Sequence, residues 1–365
     1  MIIKSLKLKD YRNYEILNIE FDHATNIFYG DNAQGKTNIL EALYVCATSR
    51  SHKGSKDREM IRMGSDEAHI KLNVKKNGLP YRIDMHLKKN KSKGIAVNGI
   101  PIKRAVELFG ILNIVCFSPE DLSIIKNGPA ERRRFMDMEL SQLDKIYLSN
   151  LINYNKVVNQ RNKLLKELSF KSSEEKLETL DIWDLQLVKY GTEVMKRRVG
   201  FVQELNEIIG GLHEKLSGGT EKLTIEYQPC VEETTFLDTV TKMRERDLRM
   251  KSTCFGPHKD DLIFFINGSE VKKYGSQGQQ RTVALSLKLA EIELVKRLIQ
   301  DNPILLLDDV MSELDRSRQD ALLESIRGIQ TILTCTGYDD FIKERLTIDK
   351  VYKVVAGTIQ EELDG

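Results

Sequence analysis

The sequence predicts an α/β fold, with a mixed β-sheet around one phosphate-loop helix and a mostly helical lobe inserted into the chain. Three observations carry this expectation. "GDNAQGKT" at 30–37 fits G-x-x-x-x-G-K-[ST] and stands between a strand pattern and a helical pattern. "PILLLDD" at 303–309 reads as a fully buried strand of a parallel sheet, ending in carboxylates. Residues 130–168 run at helical spacing with almost no glycine or proline.

Taken in order, residues 2–9 and 15–21 alternate like strands around a "YRNY" turn, and "TNIFYG" is a short apolar strand ending in glycine. Helical spacing runs from Lys36 to about Thr48. Residues 67–87 and 93–98 alternate again, with turns at "KKNG" and "NG". This first stretch is expected to form one β-rich sheet wrapped around the helix. From Pro129, at a first helical position, one long helical pattern is followed by a second from about Leu177 to Leu216. Their apolar residues drift between heptad and 3.6 spacing, so no long coiled coil is expected. Strands resume at "LTIEYQP", and "DLIFFING" with "SEVKKYG" reads as a hairpin. The last third alternates helix 283–300, strand 303–308, helix 315–327, strand 330–335 and a strand near 350–356. The expected organisation is a head in two parts, 1–117 and 251–365, around a helical lobe at 118–250.

A chain of 365 residues can bury one large core or two to three smaller ones. With a net charge of only +2, any nucleic-acid surface must come from local clusters of Lys and Arg. The five widely spaced cysteines contain no CxxC pair, which argues against a disulfide framework and a zinc site. No apolar run approaches the roughly 18–20 residues that span a bilayer, and the N-terminus lacks a signal-peptide core. A soluble cytoplasmic protein is expected.

The motifs then supply chemistry. Glycines let the loop Gly30, Asp31, Asn32, Ala33, Gln34, Gly35 curl so that its amides face phosphate oxygens at the positive end of a helix. Lys36 reaches the β- and γ-phosphates, and the Thr37 hydroxyl holds Mg²⁺. Asp308, at a strand's C-terminal end, is the second Mg²⁺ residue, and Asp309 polarises the attacking water. Lys36, Asp308 and Asp309 are thus the catalytic candidates for ATP. "SQGQQ" (Ser276, Gln277, Gly278, Gln279, Gln280) precedes a helix and forms a second anion-binding N-terminus, one more than a single triphosphate needs.

That surplus, with the motif order, resembles the ATP-binding-cassette and SMC ATPase heads, where such a signature caps the γ-phosphate bound by another copy. Longer segments resemble the RecF family. They are "LKDYRNYE" near the start, "YGDNAQGKTNILEALYVCATSRSHK" at 29–53 and "FSPEDLSIIKNGPAERRRFMD" at 117–137. "YNKVVNQRNKLLK" at 154–166, "GPHKDDLIFFING" at 256–268, "YGSQGQQRTVALSLKLAEIEL" at 274–294 and "LLLDDVMSELD" at 305–315 continue the match. Only about 167–250 carries little of it.

The resemblance implies an SMC-like head that binds ATP and Mg²⁺ and forms an ATP-dependent homodimer. It implies binding to DNA at junctions and gaps, with RecO and RecR as partners in loading RecA during replication, recombinational repair and the SOS response. It places Ser276 to Gln280 on the partner's ATP and makes Ser312 to Asp315 the D-loop of the dimer seam. Departures from the cassette pattern are Asp309 in place of a glutamate, "TCTGYDD" in place of a switch histidine, and "SPED" at the Gln-loop position. They point to slow hydrolysis, with ATP as a dimerisation timer.

Candidate DNA contacts are Arg132, Arg133 and Arg134, then Arg50, His52 and Lys53, and the hairpin lysines Lys88, Lys89, Lys91 and Lys93. His258 is read as structural or DNA-proximal and Trp183 as core. Three other classes fit less well. A transporter ATPase keeps its signature much closer to the phosphate loop than the roughly 240 positions between Lys36 and Ser276. An SMC fragment needs heptads, and a P-loop kinase or GTPase leaves "SQGQQ" unexplained.

Overall fold

The computed structural model describes residues 1–170, 173–337 and 348–362. The chain divides into two compact units, residues 1–121 with 287–365, and residues 122–286. Residues 251–286, grouped by sequence with the second part of the head, make their contacts in the second unit.

The first unit opens with the hairpin β1 (Ile2–Tyr11) and β2 (Tyr14–Glu20), then β3 (Thr25–Tyr29) and α1 (Lys36–Thr48). Strands β4 (Glu67–Lys76), β5 (Leu79–Lys88), β6 (Lys91–Val97), β7 (Ile100–Pro101) and β8 (Ile114–Phe117) follow. The chain then builds the second unit from α2 (Leu122–Lys126), α3 (Pro129–Leu143), α4 (Lys145–Phe170), α5 (Glu174–Leu216) and β9 (Leu223–Gln228). That unit continues through α6 (Phe236–Lys242), α7 (Arg244–Met250), β10 (Asp261–Ile266), β11 (Ser269–Glu270) and α8 (Val271–Tyr274). Helix α9 (Gln277–Ile299) begins in it, and β12 (Ile304–Asp308), α10 (Arg316–Ser325), β13 (Thr331–Cys335), β14 (Ile348–Val355) and β15 (Thr358–Glu362) return to the first unit.

Among the described residues, the first unit holds two sheets where the sequence suggested one. One is antiparallel in the order β2-β1-β4-β5-β6-β7, and the other runs β15-β14-β3-β13-β12-β8. The separation follows from patterning. β4 alternates strictly, burying Ala68, Ile70, Leu72 and Val74 on one face, as a half-solvated antiparallel strand does. β12 and β13 are buried at every position and pair in parallel, as strands covered on both faces must. Each apolar side chain of β12 is fully buried, a contribution of about 1.5–3 kcal/mol apiece. Helix α1 is buried nearly all round because it touches β4 of one sheet and β8, β12 and β13 of the other.

In the second unit the long pattern from Pro129 breaks at Asp144. Its Oδ1 accepts from the amides of Ile146 (2.8 Å) and Tyr147 (3.0 Å), which ends α3 and starts α4. "SEVKKYG" is not a full hairpin strand. β11 stops after two residues, and Val271 turns inward to open the helical turn α8. Trp183 is partly buried against a cluster of Leu164, Leu165, Leu168 and Leu180.

Candidate functional site

β3, β13 and β12 lie side by side in parallel, so their C-terminal ends meet at one edge of the first unit. The loop after β3 is Gly30 to Gly35, and Asp308 closes β12. The loop's curvature rests on left-handed backbone at Gly30 (φ 144°), Ala33 (φ 64°) and Gly35 (φ 115°). A Cβ at Gly30 would lie 2.5 Å from the Val354 carbonyl oxygen, and one at Gly35 would lie 2.5 Å from Asn13 Nδ2. Gly35 also precedes α1 without any side-chain cap, which leaves first-turn amides for an anion.

Two turns clasp the loop from outside. Asn13 Nδ2 donates to the Gln34 carbonyl at 2.8 Å, and the Tyr14 hydroxyl donates to the Gly35 carbonyl at 3.0 Å. From the β14–β15 turn, the amide of Gly357 donates to that Gln34 carbonyl (3.2 Å) and the amide of Ala356 to Gln34 Oε1 (2.6 Å). Lys36 folds over the concavity, its Nζ donating to the carbonyls of Gly30 (2.5 Å) and Asp31 (2.8 Å). Asp31, Asn32 and Ala33 form the exposed rim.

The Thr37 hydroxyl donates to Asp308 Oδ1 at 2.8 Å. Thr334, across from Asp308 in register on β13, donates to the same oxygen at 2.8 Å. The next residue, Asp309, turns into left-handed backbone (φ 53°), with its amide on Thr334 Oγ1 at 3.1 Å. Ser312 donates to the Asp309 carbonyl (2.8 Å) and approaches its Oδ1 (3.3 Å), and Asp315 caps α10. Uncapped amides, a lysine aimed into the loop and a hydroxyl beside a buried carboxylate form a donor set that fits a magnesium triphosphate. Asn13, Tyr14 and Thr334 went unread in the sequence. "YRNY" read only as a turn, and a threonine in a buried strand carries no signal until its register is known.

Ser276 to Gln280 belong to the second unit; Ser276 precedes α9 directly, and Gln277 to Gln280 form its first turn. Gln279 N donates to Ser276 Oγ (3.2 Å) and Ser276 N to Gln279 Oε1 (2.8 Å), a reciprocal cap. Gln279 also reaches Glu221, and Gln280 reaches the Val271 and Gly275 carbonyls. Ser276, Gln277 and Gly278 are exposed, and a Cβ at Gly278 would meet only Ser276 Oγ, at 3.9 Å.

Several candidate DNA contacts are committed elsewhere. Arg132 is buried and holds both oxygens of Asp261 (2.6 and 2.9 Å), and Arg133 donates to the Asp260 carbonyl at 2.7 Å. Lys93 donates to the Ser49 carbonyl and Asp57, while Lys88 and Lys89 pair with Glu67 and Asp66. His52 is half-buried beside Tyr44, and desolvation lowers its pKa against the opposing pull of Asp308. Arg50, Lys53 and Lys91 are exposed. His258 is structural: its Nδ1 contacts the Tyr154 hydroxyl at 2.6 Å and its Nε2 the Thr253 carbonyl at 3.0 Å. At the Gln-loop position, Asp121 accepts from Ser118 N, and burial raises its pKa to about 6. Of "TCTGYDD", Tyr338, Asp339 and Asp340 lie outside the described residues.

A phosphate loop and a carboxylate at neighbouring parallel strand ends, beside an antiparallel sheet, define an SMC-type P-loop ATPase head. The RecF/RecN/SMC N terminal domain family matches residues 2–360. A solved structure of the recombination mediator protein RecF with ATP is similar at TM-score 0.92 and 35% identity, over 99% of this chain and 97% of that one. The Smc head domain of Pyrococcus furiosus shares the fold at TM-score 0.57 and 16% identity, over 99% of this chain and 95% of that one. The "DNA replication and repair protein RecF" of Lachnospira eligens is 64% identical over 362 residues, 99% of this chain and all of that relative. That of Clostridium perfringens is 43% identical over 365 residues, 99% of this chain and 100% of the relative. The chain belongs to the RecF family.

Proposed function

We propose that this chain is an ATP-dependent DNA-binding protein of replication and recombinational repair, in which ATP joins two copies head to head. The observation that carries the ATP reading is the Thr37–Asp308 contact beneath an uncapped α1 and a lysine-covered glycine loop. Relatives named for DNA replication and repair, and neighbours named as RecF with ATP in the RecFOR pathway, support the process. RecO and RecR are the proposed partners, DNA junctions and gaps the proposed substrates, and RecA loading the proposed outcome.

The α1 amides and Lys36 would hold the phosphates, and Thr37 and Asp308 would hold Mg²⁺, which when bound draws charge from the phosphate oxygens. Thr334 fixes the Asp308 carboxylate, while Asp309 orients water from the short side chain that follows. Aspartate reaches less far than glutamate, which fits slow, DNA-stimulated hydrolysis. Ser276 to Gln280 present an exposed capped helix start suited to a phosphate held by another copy. Sedimentation with ATP, ADP or no nucleotide tests the reading. ATP is expected to convert wild type from monomer to dimer and to leave Ser276→Arg monomeric; equal dimerisation of both would refute the trans contact.

A further inference from the structure

We infer that Glu67, His69 and His86 form a Zn²⁺ site on the antiparallel sheet of the first unit, distant in sequence from the nucleotide motifs. Glu67 and His69 are two apart on β4 and so share a face, and His86 of β5 stands opposite His69 in register. His86 Nε2 lies 2.9 Å from Glu67 Oε2, and His69 Nε2 lies 3.6 Å from Glu67 Oε1. One ligand atom from each of the three falls within 4.8 Å of the others. Tetrahedral zinc with bonds of about 2.0–2.1 Å sets its ligands about 3.3 Å apart, so rotamer adjustment alone closes the set.

Two features favour a cation over a plain surface ion pair. The imidazole rings stack at 4.1 Å between centroids, 23° from parallel, which lines both up along one side of Glu67. Both Nε2 atoms turn to that one carboxylate, which gathers three ligand atoms about a single point. Gly94 of β6, opposite His86, carries no side chain, and a groove of about 390 Å³ opens there for a fourth ligand, water or an incoming group. Lys88 Nζ, 3.9 Å from Glu67, is the one described cation paired to this carboxylate besides the histidines, and the contact is exposed and screened. Imidazole nitrogens select zinc over Mg²⁺, which prefers an all-oxygen shell. The lack of a CxxC pair argued in the sequence against a zinc site; this proposal departs from that reading because its ligands are two histidines and a carboxylate, not cysteines.

The test is Zn²⁺ titration of the full chain against a chromophoric chelator, without nucleotide and with excess Mg²⁺. One site is expected whose affinity falls about tenfold or more in His69→Ala and in His86→Ala, with His23→Ala unchanged as control. Zn²⁺ should also raise the Tm of wild type and not that of the double variant, both remaining folded because these side chains are only half-buried. Undiminished Zn²⁺ affinity in the double variant, or loss of wild-type binding under excess Mg²⁺, would overturn the assignment.

Discussion

Arg161 is fully buried and donates to Asp184 Oδ1 and Asp247 Oδ2, each at 2.6 Å, and to Thr253 Oγ1 at 3.0 Å. Removing one partner of such a group strands charge in a low dielectric. Arg161→Met is therefore expected to destabilise the second unit by about 3–5 kcal/mol in urea unfolding, and a loss under about 1 kcal/mol would contradict it. The pairing was illegible in the sequence, because its partners lie 23 and 86 positions away. Gly30 to Thr37 were legible because the loop's chemistry is local: glycine φ freedom, a lysine and a hydroxyl within eight consecutive residues. Arg132 shows the opposite case. Three arginines in a row look like a solvated face, yet the first is fixed by Asp261, more than a hundred positions away.

At the scale of elements, α5 runs 43 residues and meets α4 and α6 at Gly191. A Cβ there would stand 2.6 Å from Phe236 Cε1 and 3.0 Å from Tyr154 Cε2. Alanine gains up to about 1 kcal/mol in helix propensity, but overpacking two buried rings costs about 1–3 kcal/mol. Gly191→Ala is thus expected to lower stability, whereas Gly211→Ala, with open space around it, is expected to raise it. Equal thermal shifts in the two variants would defeat this reading. Helix spans and the parallel strands were readable from periodicity. The break at Asp144 and the start of α9 were not, because side-chain capping decides both. The division of strands between two sheets depends on pairing, which alternation alone does not specify.

For the whole molecule, acid sensitivity is expected to centre on His258. Burial pushes its pKa down to about 4, and with Nε2 donating to Thr253 the neutral ring accepts the Tyr154 hydroxyl. The folded value lies below the free value of about 6.5, so the fold prefers the unprotonated ring. That stability is intact above about pH 6.5 and is lost as pH falls toward 4, by about 3 kcal/mol. His258→Gln should lose less stability than wild type between pH 7 and 4.5; parallel losses would count against the assignment. Motif order led to the expectation of a two-part head around a helical lobe. The boundary near Ser286, inside α9, left no mark in the sequence, because one continuous helix carries no composition shift where its contacts change.

The grip of the Ala356–Gly357 turn on Gln34 has a meaning in time as well as in space. Its two ends are 322 positions apart, so a chain growing from its N-terminus makes the phosphate loop long before this support. Nucleotide competence then waits on a segment made 322 positions later. A Cβ at Gly357, where φ is +76°, would press to 2.5 Å from the Asn13 carbonyl oxygen. Gly357→Ala is accordingly expected to weaken ATP binding, and an unchanged ATP affinity would show that the loop stands without this clasp.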